Sequence, residues 1–141
     1  QYRYCINDSG IPDVFRRRFV CAWPTKLDDD VMRRAAAYLC GQHDFRGFSS
    51  VNHRFKKSTV RTIHSIEILR DHGELQIVYC GTGFLYNMVR ILTGTLVEIG
   101  AGTRNADSIE TIFESKNRQD AGITMPAQGL ILERVFYPHP E

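Results

Sequence analysis

The chain has 141 residues, one domain's worth, with 43% apolar and 24% charged residues and a formal net charge of +2. That length supports a core, and both shares are ordinary for a globular protein. No run is long and apolar enough to span a bilayer, QYRYCIND carries no secretory pattern, and so small a net charge does not by itself argue for nucleic acid.

In chain order, YRYCI at 2–6 reads as a strand, with Tyr2 and Tyr4 facing the same way as core or edge packing. The chain opens on these residues without an initiator methionine, as a piece of a longer protein or a processed terminus does. FRRRFVCAW at 15–23 predicts a weaker strand. Asp28, followed by two acids, predicts a helix N-cap. Val31, Met32, Ala35, Ala36, Leu39 and Cys40 supply an apolar stripe that ends at Gly41, so a helix is expected over 28–40. Residues 41–57 keep no sustained period and read as a long loop or two short turns.

STVRTIHSIEIL at 58–69 alternates as a strand, with Val60, Thr62, His64, Ile66 and Ile68 on one face. The turn residues 71–74 and LQIVYC at 75–80 complete a hairpin. Gly81-Thr82-Gly83 leads into a long helix from 84 to about 99, then a shorter one over 106–115 and a closing strand over 129–137. No repeat or low-complexity segment is visible. Hairpin strands with helices between them predict an α+β domain, a mostly antiparallel sheet with helices on one face, in a ferredoxin-like arrangement.

The long helix poses a question. At about 100° per residue, Leu85, Met88, Leu92, Leu96 and Ile99 share an apolar face. Arg90 lies opposite, with Tyr86, Asn87, Thr93 and Gly94 in its sector, a surface that either meets water or lines a site. Charge is also uneven along the chain. Residues 1–73 hold 13 Lys/Arg against 8 Asp/Glu, and residues 74–141 hold 5 against 8. No acid falls between Phe45 and Ile66, where Arg46, Arg54, Lys56, Lys57 and Arg61 lie. Phe45, Phe48 and Phe55 interleave with these cations: either the rings stack on RNA bases while the cations neutralise phosphates, or the phenylalanines tuck into the core.

Other motifs are weaker. His43-Asp44 has the residue types of a metal phosphohydrolase, but His53, His64 and His72 converge on no ligand spacing. Gly81-x-Gly83 lacks the third glycine and downstream acid of a dinucleotide site, and a strand-to-helix turn needing permissive residues explains it better. Cys5, Cys21, Cys40 and Cys80 are scattered with no C-x-x-C pair, as expected of buried reduced thiols in a cytoplasmic protein.

Taken together, YRYCI at 2–6, LCGQHDFRGF at 39–48, STVRTI at 58–63, FLYNMVRILTGTLVEIG at 84–100, AGITMPAQGLIL at 121–132 and VFYP at 135–138 occur in an order that resembles the bacterial tRNA pseudouridine synthase A (TruA) family. The resemblance covers nearly the whole chain and matches that family's C-terminal half. It implies an isomerase that breaks the uridine C1′–N1 bond, turns the uracil and rejoins it through C5. No metal or organic cofactor is implied. Tyr2 matches the tyrosine that packs on the target uracil and is implicated in removing its C5 proton. Arg90 matches the arginine paired with the nucleophilic aspartate, and Leu130 an apolar residue lining the base pocket. Asn52, His53, Arg54, Lys56 and Lys57 fall in a stretch that contacts tRNA.

The aspartate belongs to a G-R-T-D motif in the family's N-terminal half, and that motif is absent from residues 1–141. The chain is therefore expected to hold half an active site and to be inactive alone. The resemblance further implies uridines of the tRNA anticodon stem-loop as substrate and a homodimer in the intact enzyme. A non-catalytic RNA-binding module of the same fold is the alternative. Arg46-Gly47 stands where small hydroxyl residues are usual, and Met125 where alanine is.

Overall fold

The computed structural model describes residues 1–135. β1 (Tyr2–Asn7) organises the sheet. On one side it pairs antiparallel with β5 (Glu74–Gly81), from Tyr2 opposite Tyr79 to Asn7 opposite Glu74. Its other side is shared. β6 (Leu130–Leu132) runs antiparallel to residues 2–4, and the two-residue β2 (Cys21–Ala22) lies parallel to Ile6 and Asn7. β4 (Val60–Asp71) pairs with β5, and β3 (Gly41–Asp44) with β4, both antiparallel.

With α1 (Asp29–Leu39) before β4 and α2 (Met88–Gly100) after β5, the order β1-α1-β4-β5-α2-β6 in a sheet arranged β6-β1-β5-β4 is the expected ferredoxin-like α+β fold. The structure adds β3 at one edge, β2 beside the other, and α3 (Ser108–Ser115). Tyr4, Ile6, Ile63, Ile68, Leu75, Ile77 and Tyr79 carry the inner face of the sheet. They pack with Met32, Ala35 and Leu39 of α1 and Met88, Ile91, Leu92 and Leu96 of α2 in one core. No helix among the described residues is long and apolar enough to cross a membrane.

Local chemistry explains most elements. The Asp28 carboxylate accepts from the Asp30 and Val31 amides and caps α1, with Asp29 and Asp30 against the positive end of its dipole. His72 (φ 50°) and Gly73 (φ 81°) both take left-handed backbone. This closes the β4–β5 hairpin with a two-residue turn suited to the strands' twist.

The expected 15–23 strand shrinks to Cys21–Ala22. Three successive arginines offer no apolar alternation to bury, and Phe15 is 91% exposed on a turn. Within the expected 41–57 loop, GQHD forms β3 because β4 offers it an edge, a tertiary effect that overrides weak strand propensity. β4 does not keep one apolar face throughout. Ile63 pairs with Gly81 and Ser65 with Cys80, so His64 is an extra residue and the inward face switches. Val60 is consequently 41% exposed, while Ile63 is buried. The last strand ends at Leu132, and residues 136–137 of its expected span lie outside the described residues. All four cysteines are unpaired, and only Cys5 and Cys21 are fully buried.

Candidate functional site

α2 begins at Met88 and not at 84, because Asn87 before it adopts left-handed backbone (φ 59°). Asparagine tolerates that conformation better than most side chains. The sector opposite the apolar face is only partly open to water: Tyr86 is exposed, Asn87 and Arg90 are half-buried, and Thr93 and Gly94 are covered. Thr93 is buried, its hydroxyl donating to the Val89 carbonyl and lying 2.7 Å from the Tyr79 hydroxyl. Gly94 meets the backbone of the 121–126 segment so closely that a Cβ there would lie 1.8 Å from the Ile123 carbonyl oxygen. A Cβ on Gly122 would come within 2.6 Å of Thr95. Two glycines thus let an extended segment lie directly on the helix.

That segment is fastened at several points. The Gly122 amide donates to the Thr95 hydroxyl (2.9 Å), and the Met125 amide to the Arg90 carbonyl (3.2 Å). Arg90 answers with its side chain, Nε donating to the Met125 carbonyl at 2.7 Å and Nη1 to Asn87 Oδ1 at 3.1 Å. Both acceptors are neutral. No ion pair of the described residues includes Arg90.

Tyr4 secures the next peptide. Its hydroxyl donates to the Pro126 carbonyl, and its ring lies against Gly129, where a Cβ would come within 2.7 Å. Burial pushes this phenol well above its ordinary range, so it stays a neutral donor. Leu130 follows, half-buried and opposite Tyr4 in the β1–β6 ladder. Tyr2, two residues before Tyr4, is half-buried and meets the Phe84 ring edge to face, centroids 5.2 Å apart. Tyr2 and Leu130 thus lie on adjacent strands, and Arg90 joins that corner through Met125 and Pro126.

The acid-free loop reaches the same corner from the other side. The Ser50 amide donates to the Tyr86 carbonyl (2.9 Å), and Asn87 Nδ2 donates to the Ser50 hydroxyl (3.1 Å). Asn87 therefore bridges Arg90 and the loop with one side chain, a role the sequence reading missed. Its signal was slight: a polar residue directly before an apolar helix. Asn52 and Arg54 line a cleft with Phe84 and Tyr86. His53, Lys56 and Lys57 are exposed outside that cleft, with no described contact to Tyr2, Arg90 or Leu130. Of the interleaved phenylalanines, Phe45 and Phe48 are core residues and only Phe55 lines the cleft.

Other candidates are occupied locally. His43 stacks on Phe113, ring centroids 4.3 Å apart. Asp44 accepts from Thr59 (2.6 Å) and the Arg46 amide; burial pushes its carboxyl up, but these bonds hold it below its ordinary value. Neither Gly81 nor Gly83 has positive φ, so the turn does not need their backbone freedom. Gly81 is demanded by space instead, since a Cβ would lie 2.7 Å from the Thr62 carbonyl oxygen.

A family model described as tRNA pseudouridine synthase matches residues 35–138. The tRNA pseudouridine synthase A of Brevibacillus brevis is 42% identical over 97% of this chain and 56% of its own length. That of Acetivibrio thermocellus is 44% identical over 97% of this chain and 56% of its own. A Bacillus cereus tRNA pseudouridine synthase A 1 is 44% identical, with 97% and 55% covered. The chain spans about half the length of the curated relatives it matches.

Proposed function

The chain belongs to the tRNA pseudouridine synthase family, and on that premise we propose that it is the C-terminal half of an enzyme that isomerises uridine to pseudouridine in the anticodon stem-loop of tRNA. The nucleophilic carboxylate comes from the protein's other half, and residues 1–141 alone are inactive. The enzyme works as a cytoplasmic homodimer cradling tRNA.

The observation that carries this reading is Arg90. A half-buried guanidinium held by two neutral oxygens, and ion-paired with no carboxylate of the described residues, is oriented but not neutralised. A partly buried cation favours a nearby carboxylate in its ionised form and fixes its direction. A nucleophile that attacks the target nucleotide must be ionised and aimed, and Arg90 would do both.

The target uridine leaves its stack to reach the site. The C1′–N1 bond breaks, the uracil turns between the Tyr2 ring and the Leu130 side chain, and a C5–C1′ bond forms. Flat apolar walls hold the ring in plane without fixing one edge, so the turn is permitted. Tyr2 assists departure of the C5 proton, and N1, left with the electron pair of the broken bond, takes up a proton in exchange. Asn52, His53, Arg54, Lys56 and Lys57 contact the RNA, the cations on its phosphates.

The test uses the intact enzyme. Arg90→Ala should lower turnover about 10³-fold, the scale of losing one charge-stabilising donor, with tRNA affinity within a few-fold. Normal turnover with weakened binding would remove Arg90 from the chemistry, and an intact wild type that binds tRNA but forms no pseudouridine would favour a non-catalytic RNA-binding module.

A further inference from the structure

The cleft beside Phe84 holds more than the loop residues already assigned. Tyr86 lines it and is 70% exposed, unusual for a tyrosine two residues before a buried helix. Phe55 and Phe84 form apolar wall, and Arg54 and Arg61 are the cations on the rim. Arg61 is fixed in place, Nη1 donating to the Ser58 and Val60 carbonyls at 2.8 Å each. Both acceptors are neutral, and no acid among the described residues lines the cleft. An exposed ring next to two guanidinium groups that form no ion pair among the described residues, that of Arg61 pinned and that of Arg54 exposed, is complementary to a base with its phosphate.

Position narrows the occupant further. Phe84 touches Tyr2 edge to face, so the cleft abuts the proposed uracil site. Its Ser50 wall joins Arg90 through Asn87. We infer that this cleft is a second nucleotide site, in which an unpaired RNA nucleotide adjacent to the target stacks its base on Tyr86 and places its phosphate between Arg54 and Arg61. Tyr86 is thus a residue that selects RNA whose target has an unstacked neighbour. The cleft's place beside a target uridine rests on the function proposed above.

The experiment uses the intact enzyme and two stem-loop substrates, carrying 2-aminopurine one nucleotide 5′ or 3′ of the target uridine. Stacking on Tyr86 quenches the probe at one of these positions in the wild type and in Tyr86→Phe, which keeps the ring. Tyr86→Ala should restore the fluorescence and raise KM about tenfold, the scale of one lost base–aromatic stack, with kcat within about twofold. Arg61→Gln should raise KM and leave the quench in place.

Identical fluorescence in wild type and Tyr86→Ala overturns the inference. So does a drop in melting temperature at unchanged KM, which would mean that protein and not RNA covers the ring. A wild type that quenches the probe but makes no pseudouridine would instead sink the proposed function and leave the nucleotide site standing. Normal product formation without any quench would do the reverse.

Discussion

Two half-buried arginines sit at opposite ends of the sheet, and they are held in opposite ways. Arg70, at the β4–β5 hairpin end, donates to both oxygens of Asp8 (2.8 and 2.7 Å) and of Asp29 (2.7 and 2.8 Å), and to the Leu27 carbonyl. Arg90, at the Tyr2 end, has among the described residues only the Met125 carbonyl and the Asn87 amide oxygen. One guanidinium is saturated with anions from its own fold, and the other is aimed and left with its charge uncompensated. A structural cation brings its counterion with it; a cation oriented by neutral acceptors alone keeps its field for something that arrives.

The largest effect that would break this contrast is on stability at the Arg70 end. Asp8→Ala removes one of the two carboxylates on the half-buried Arg70 guanidinium, leaving it to Asp29, and strands the Leu27 amide, which donates to Asp8 at 2.8 Å. It should cost about 2–3 kcal/mol in urea unfolding, the scale of losing hydrogen bonds to a charged group and leaving a buried donor unpaired. Arg90→Ala should cost only about 1 kcal/mol, the loss of bonds to neutral acceptors. Equal losses at the two ends would erase the distinction.

The contrast should also appear in acid. Burial pushes the Asp8 carboxyl up, but the Arg70 bonds and the Leu27 amide overcome it, and the group titrates below its ordinary value. A carboxylate depressed on folding stabilises above its unfolded pKa, about 4, and that stability is lost as pH falls through the lower folded value. The stability gap between wild type and Asp8→Asn should stay level from neutral pH to about pH 5 and narrow below about pH 4. A gap that persists at the lowest pH would mean that Asp8 contributes through packing and not charge.

A smaller effect sharpens the Arg90 side. Asn87→Gly keeps the left-handed backbone while removing both side-chain bonds. In the intact enzyme it should lower kcat about tenfold, the scale of one lost charge-assisted bond, raise KM by no more than a few-fold as the loop loosens at Ser50, and leave the melting temperature nearly unchanged. A fall in melting temperature without a fall in kcat would make Asn87 a cap and nothing more. The smallest effect is the outermost. Reversing charge at Lys56 and Lys57 should weaken tRNA binding several-fold and flatten its salt dependence, by about one unit of slope for each phosphate no longer neutralised. An unchanged slope would remove those lysines from the RNA surface.

Much of the fold was legible because it rests on local chemistry. The Asp28 cap, the His72-Gly73 turn and the apolar faces of β1, α1 and α2 need only neighbours in sequence. β3 and the His64 bulge were not legible, since each depends on a strand contributed from elsewhere in the chain. The candidate site divides the same way. Arg90 stood out as the one cation on a largely apolar helix, and the family motifs pointed to Tyr2 and Leu130. Its fastening could not be read, because the Met125 acceptor is a backbone oxygen that every residue type carries. For the same reason, methionine in place of the more usual alanine leaves that bond available. The side chain itself is fully buried in the core.

The Asn87 bridge also bears on entropy. Ordering a flexible residue costs about 1–2 kcal/mol in backbone freedom. The loop is already pinned at Ser50 to the start of α2, and again where Arg46 Nη2 and the Phe55 amide donate to the Asn52 carbonyl. Part of the ordering that RNA would otherwise impose on this loop is therefore complete when the chain folds, and the interactions formed on arrival are left to strengthen association.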